Sequence, residues 1–61
     1  MTWGEVIRKL KKAGYLEHRT GKGSHQHFIH PATRHVITVS VHTKQESGEL
    51  GKRLLREAGI R

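Results

Sequence analysis

His35-Val36-Ile37-Thr38-Val39-Ser40-Val41 is the stretch that decides the fold. Ile37, Val39 and Val41 fall on one side of an extended chain; Val36, Thr38 and Ser40 fall on the other. That alternation predicts a strand in an antiparallel sheet with one face covered and one open. Just upstream, Pro31-Ala32-Thr33-Arg34 breaks the chain as a turn. Before it, Ser24 to His30, carrying Phe28 and Ile29, reads as a second strand. Thr20-Gly21-Lys22-Gly23 is a glycine-rich hairpin loop. Tyr15 to Thr20 is then the first strand, with Leu16, His18 and Thr20 on one side and Tyr15, Glu17 and Arg19 on the other.

The flanks of this three-stranded segment carry a different period. Trp3, Val6, Ile7, Leu10 and Ala13 recur at helical spacing. Thr2-Trp3-Gly4-Glu5 has the spacing of a capping box, and Gly14 suits a helix stop. A helix is therefore predicted over 3–13, with Arg8, Lys9, Lys11 and Lys12 as a solvated basic face. At the other end Ser47, or alternatively Thr43 with Glu46 three residues on, caps a second helix. Leu50, Leu54 and Ala58, with Leu55 beside them, form its apolar face. Gly51 interrupts it at a cost of about 1 kcal/mol against alanine. Gly59 ends it, with Ile60 folding back as an apolar cap. The expected fold is α+β, ordered α-β-β-β-α: a three-stranded antiparallel sheet with both helices on one face. The other sheet face, basic and polar, is left open.

With 61 residues the chain is read as one small domain, 1–61. A domain of this size buries only about 60% of its unfolded surface, so its core is thin. The chain has no cysteine, which excludes disulfides and thiolate metal sites. It has no apolar run of the roughly 20 residues a membrane span needs. Its N-terminus lacks the pattern of a signal peptide, so a cytoplasmic protein without membrane contact is expected. Twelve Lys and Arg against five Asp and Glu give a net charge of +7. That bias points to a polyanionic partner, nucleic acid or an acidic protein.

Six histidines are the chain's other marked feature. His25 and His27 share one side of their strand and His30 the opposite side; His35 and His42 lie at the two ends of the third strand. No helical i, i+4 pair and no regularly spaced fourth ligand accompanies them, so neither a metal nor another cofactor is expected. His25 stands apart because of Gly21-Lys22-Gly23-Ser24 before it. A glycine turn lets backbone N–H groups approach a phosphate, Lys22 and Arg19 supply charge, and imidazole exchanges a proton near neutral pH. RNA carries its own nucleophile, the 2′-hydroxyl. One histidine acting on it or on the leaving 5′-oxygen, with a cation beside the phosphorane, can cleave the strand. The same residues also fit an anion-binding hairpin in a module that binds nucleic acid without cutting it.

Ala13-Gly14-Tyr15, Arg19, Gly23-Ser24-His25, His30-Pro31, Val39 to His42 and Arg56-Glu57-Ala58-Gly59-Ile60 together resemble the HicA toxins, over nearly the whole chain. The resemblance implies the α-β-β-β-α fold of double-stranded-RNA-binding domains. It also implies metal- and ribosome-independent endonucleolytic cleavage of mRNA within a type II toxin–antitoxin system, and a HicB-like antitoxin partner that covers the active surface. It makes His25, the histidine of Gly-Ser-His, the catalytic residue. Lys22, Arg19, Gly23 and Ser24 are the expected phosphate-binding residues, with His27 and His42 as further candidates. Where many members have a second histidine directly after the first, Gln26 stands here. Ser40-Val41-His42 replaces the usual Pro-x-His, and Ser47-Gly48 the usual Gly-Thr. Two other classes share the fold and the charge. One is a non-catalytic double-stranded-RNA-binding module. The other is an inactive subunit that presents Trp3 as an exposed anchor to a protein partner.

Overall fold

A computed structural model describes residues 1–20, 23 and 25–60, without the side chains of Arg19 and Thr20. The elements are α1 (Trp3–Lys12), β1 (Leu16–Thr20), β2 (His25–Ile29), β3 (Val36–Ser40) and α2 (Gly48–Glu57). The strands form one antiparallel sheet in the order β1-β2-β3. This is the predicted α-β-β-β-α architecture. Among the described residues no helix is long and apolar enough to cross a membrane.

α1 starts as its capping box requires. The Glu5 N–H donates to Thr2 Oγ1 and the Thr2 N–H donates to Glu5 Oε1, both at 3.3 Å. Its stripe of Trp3, Val6 and Leu10 is buried. Trp3 is only 8% exposed, so it is a core residue and does not serve as a surface anchor. Gly14 turns the chain out of the helix at φ 100°, and the Tyr15 N–H closes back on the Leu10 carbonyl at 3.0 Å.

The sheet register separates two rows of side chains. Glu17, Phe28 and Ile37 pair across the face that the helices cover, as do Gln26 and Val39. Leu16, Ile29 and Val36 pair across the open face, followed by His27 with Thr38 and His25 with Ser40. The core is Trp3, Val6, Leu10, Tyr15, Phe28, Ile37, Val39 and Leu55. Between Glu17 and Thr20 the register slips, and Thr20 pairs with Gln26. A bulge therefore interrupts the simple alternation expected along β1.

Three further expectations need correction. The open face is not basic among its described side chains: Leu16, His18, His25, His27, Ile29, Val36, Thr38 and Ser40 include no lysine or arginine. Leu16 and Val36 are instead apolar groups about half exposed, because the helices cover only the opposite face. Val41 lies beyond the end of β3 and is exposed, so only Ile37 and Val39 face the core.

The third correction concerns α2. Its buried edge runs through Gly51 and Leu55, with Leu54 and Ala58 alongside and Leu50 exposed. Ser47 occupies the N-cap position, yet its hydroxyl makes no cap bond and donates instead to the Met1 carbonyl at 3.0 Å. The reason is tertiary. The Met1–Glu46 stretches run together, with the Ser47 N–H on Met1 O, the Trp3 N–H on Gln45 O and the Gly4 N–H on Thr43 O. Ser47 is thereby wedged beneath α2. A Cβ at Gly51 would lie 2.0 Å from Ser47 Oγ and 3.1 Å from Val6 Cγ2, so glycine is required there by close approach.

Candidate active site

β2 places His25 and His27 two residues apart on the open face, about 6.8 Å along the strand. His25 is the first residue of β2, is exposed, and has no hydrogen-bond partner among the described residues. Its neighbour across the ladder is Ser40. Ser40 Oγ accepts the His42 N–H at 3.1 Å, which holds the start of the β3–α2 connection against the same corner. His42 itself is exposed.

His27 is held differently. Its Nδ1 lies 2.8 Å from Thr38 Oγ1, its partner across the β2–β3 ladder. That bond orients the ring and leaves Nε2 as the nitrogen available to a ligand. Thr38 had drawn no functional attention from the sequence. Its signal was present in the alternation of β3, but it needed the register to pair it with His27. Just before β2, Gly23 is exposed at φ 65°, with open space where a Cβ would stand. This left-handed conformation is the one expected of a glycine turn. Lys22 and Ser24 lie outside the described residues, as does the side chain of Arg19.

The structure assigns two other histidines to packing. Tyr15 is buried on the helix side of the sheet, with its hydroxyl 2.9 Å from His35 Nδ1. His30 meets the Tyr15 ring edge-on at 5.1 Å and accepts the Ala32 N–H on Nδ1 at 3.2 Å. Burial pushes the Tyr15 hydroxyl above its ordinary pKa, keeping it protonated and able to hydrogen-bond. His18 is exposed on β1. Among the described residues no three histidine or carboxylate side chains converge as a metal site.

The open-face corner therefore offers an exposed imidazole with no side-chain partner among the described residues, a second imidazole fixed by a threonine, and a glycine in a left-handed turn. That set can take a proton from one oxygen and supply one to another. Compared with known proteins, residues 3–60 match the family model described as "HicA toxin of bacterial toxin-antitoxin". No curated protein matches the chain.

Proposed function

We propose, from the premise that the chain belongs to the HicA toxin family, that this toxin is a metal-independent, ribosome-independent endoribonuclease acting on mRNA with His25 as its catalytic residue. The observation that carries this reading is the environment of His25: exposed, without a side-chain hydrogen-bond partner among the described residues, and paired across the ladder with Ser40. His25 takes the proton of a ribose 2′-hydroxyl. The 2′-oxygen forms its bond to phosphorus, the bond from phosphorus to the 5′-oxygen breaks, and a proton is delivered to that oxygen. The products are a 2′,3′-cyclic phosphate and a 5′-hydroxyl. A single imidazole can run this sequence through water, and His27 Nε2 stands on the same face as a second proton carrier. Lys22 and Arg19, with the backbone at Gly23 and Ser24, are the proposed phosphate contacts at the turn, and His42 borders the corner. The physiological partner beside RNA is a HicB-like antitoxin that covers this face.

The test is single-stranded RNA incubated in EDTA with the wild-type protein and with His25→Ala. Cleavage by the wild type alone, ending in cyclic phosphate, supports the reading. Equal cleavage by both sinks it. Retention of RNA on a gel without cleavage by either protein shifts the protein to the non-catalytic binding class.

A further inference from the structure

The open face that carries His25 shows no fixed cation among its described side chains, yet the chain bears a net charge of +7. The described cations sit elsewhere, and three of them surround a cleft. Arg8, Lys9, Lys12, Ala13 and Ile60 line a hollow of about 470 Å³ where the last turns of α1 meet the end of α2. Arg8 and Lys12 are four residues apart, and Lys9 and Lys12 three, so the charges crowd one side of the helix and repel. None of the three meets a carboxylate among the described residues, where the ion pairs are Met1–Glu46, Lys11–Glu17 and Lys52–Glu49. The floor of the cleft is built by the fold. Gly59, at φ 76°, turns the chain back, and the Ile60 N–H closes on the Leu55 carbonyl at 2.9 Å. The result is an apolar floor under a cationic rim, within the roughly 300–1,000 Å³ typical of ligand sites.

We propose that this cleft is a second phosphodiester-binding site, which grips the RNA strand at a distance from His25. The proposal rests on the ribonuclease reading above. Unpaired like charges over an apolar floor suit a phosphate with its sugar or base seated beneath. A polyanion engages all three cations at once, adding to the contacts proposed for Lys22 and Arg19 at the turn. The cleft sits where β1 begins, beyond Leu16. His25 lies at the other end of β2, about 13 Å along the strand from Ile29, and on the opposite face of a fold whose shortest Cα extent is 15 Å. A strand that touches both must pass around the edge of the sheet, so only long RNA can use both sites.

The test uses full-length protein carrying His25→Ala and labelled 2′-O-methyl RNA, long and short, titrated across salt. Arg8→Gln with Lys12→Gln is compared with Lys52→Gln and Arg53→Gln, which remove the same charge outside the cleft. The cleft pair weakens long RNA about tenfold and flattens the slope of log K against log salt by about 1. It leaves short RNA within threefold, and the control pair leaves both within threefold. Thermal melts confirm folding, and Arg8→Lys with Lys12→Arg, which keeps the charge, keeps the affinity. Equal losses in the two pairs, or none in the cleft pair, overturn the cleft alone. So does loss of assembly with an acidic protein partner at unchanged RNA affinity. Failure of the His25→Ala parent to bind any RNA removes the cleft and the ribonuclease reading together.

Discussion

The two faces of the sheet carry the same residue type to opposite ends. On the covered side His30 and His35 are locked around buried Tyr15, one ring edge-on and one hydrogen-bonded. On the open side, among the described residues, His25 has no side-chain hydrogen-bond partner and His27 has Thr38. An imidazole whose nitrogens are spent on packing stabilises the fold and cannot easily exchange protons with a substrate. One left unspent contributes little to stability and is free for chemistry. The difference follows from position: His25 and His27 lie on the open row of β2, while His30 and His35 flank the β2–β3 turn beside Tyr15, with the His30 ring near Gly14 at the end of α1.

Substitutions on the two faces should therefore separate activity from stability. The largest effect belongs to His25→Ala, which should lower RNA cleavage by about 10²–10⁴-fold, with an unchanged melting temperature. A melt shifted by several degrees would show that His25 belongs with the packed histidines. Next is Gly51→Ala on the covered side. Helix propensity alone favours alanine by about 1 kcal/mol. The 2.0 Å approach of Ser47 Oγ reverses the sign, for a net loss of about 1–2 kcal/mol by overpacking. Denaturant titration measures it, while cleavage per folded molecule stays at the wild-type level. A more stable variant would mean that Ser47 can leave Met1 freely.

Tyr15→Phe deprives His35 of its partner and should cost about 1 kcal/mol. It also removes a pH dependence. Burial raises the Tyr15 pKa, so its contribution is complete below the unfolded tyrosine value of about 10 and is lost as pH rises past it. Wild-type stability should fall faster than that of Tyr15→Phe in alkali; parallel curves would exclude the coupling. The smallest effect is Thr38→Val, which frees the His27 ring. A loss of cleavage of less than about tenfold, at unchanged stability, would mark His27 as a supporting proton carrier. No change would leave His25 acting through water.

Much of this was legible before the fold was known, because it depends on neighbours in sequence. The period of Trp3, Val6 and Leu10, the capping box at Thr2 and Glu5, the alternation at Ile37 and Val39, and the shared side of His25 and His27 are all local. Less legible was anything that needed a second segment. Leu50 belongs to a four-residue apolar repeat yet is 45% exposed, because the tilt of α2 is chosen by Val6 and Ser47 pressing on Gly51.

By itself, then, the sequence determined the five elements, their order, the face of each candidate histidine on β2 and the family, since helical and strand periods are properties of backbone geometry over a few residues. Tertiary structure alone decided which histidines gained partners among the described residues. The Tyr15–His35 and His27–Thr38 bonds join residues 20 and 11 apart. Tertiary structure also diverted the Ser47 hydroxyl from its helix to Met1, 46 residues away. The cation-rimmed cleft exists only because Ile60 folds back beside α1. Hydrogen-bond partners and clefts depend on distance in space, and no pattern along the chain encodes that distance until the sheet register and helix packing are set.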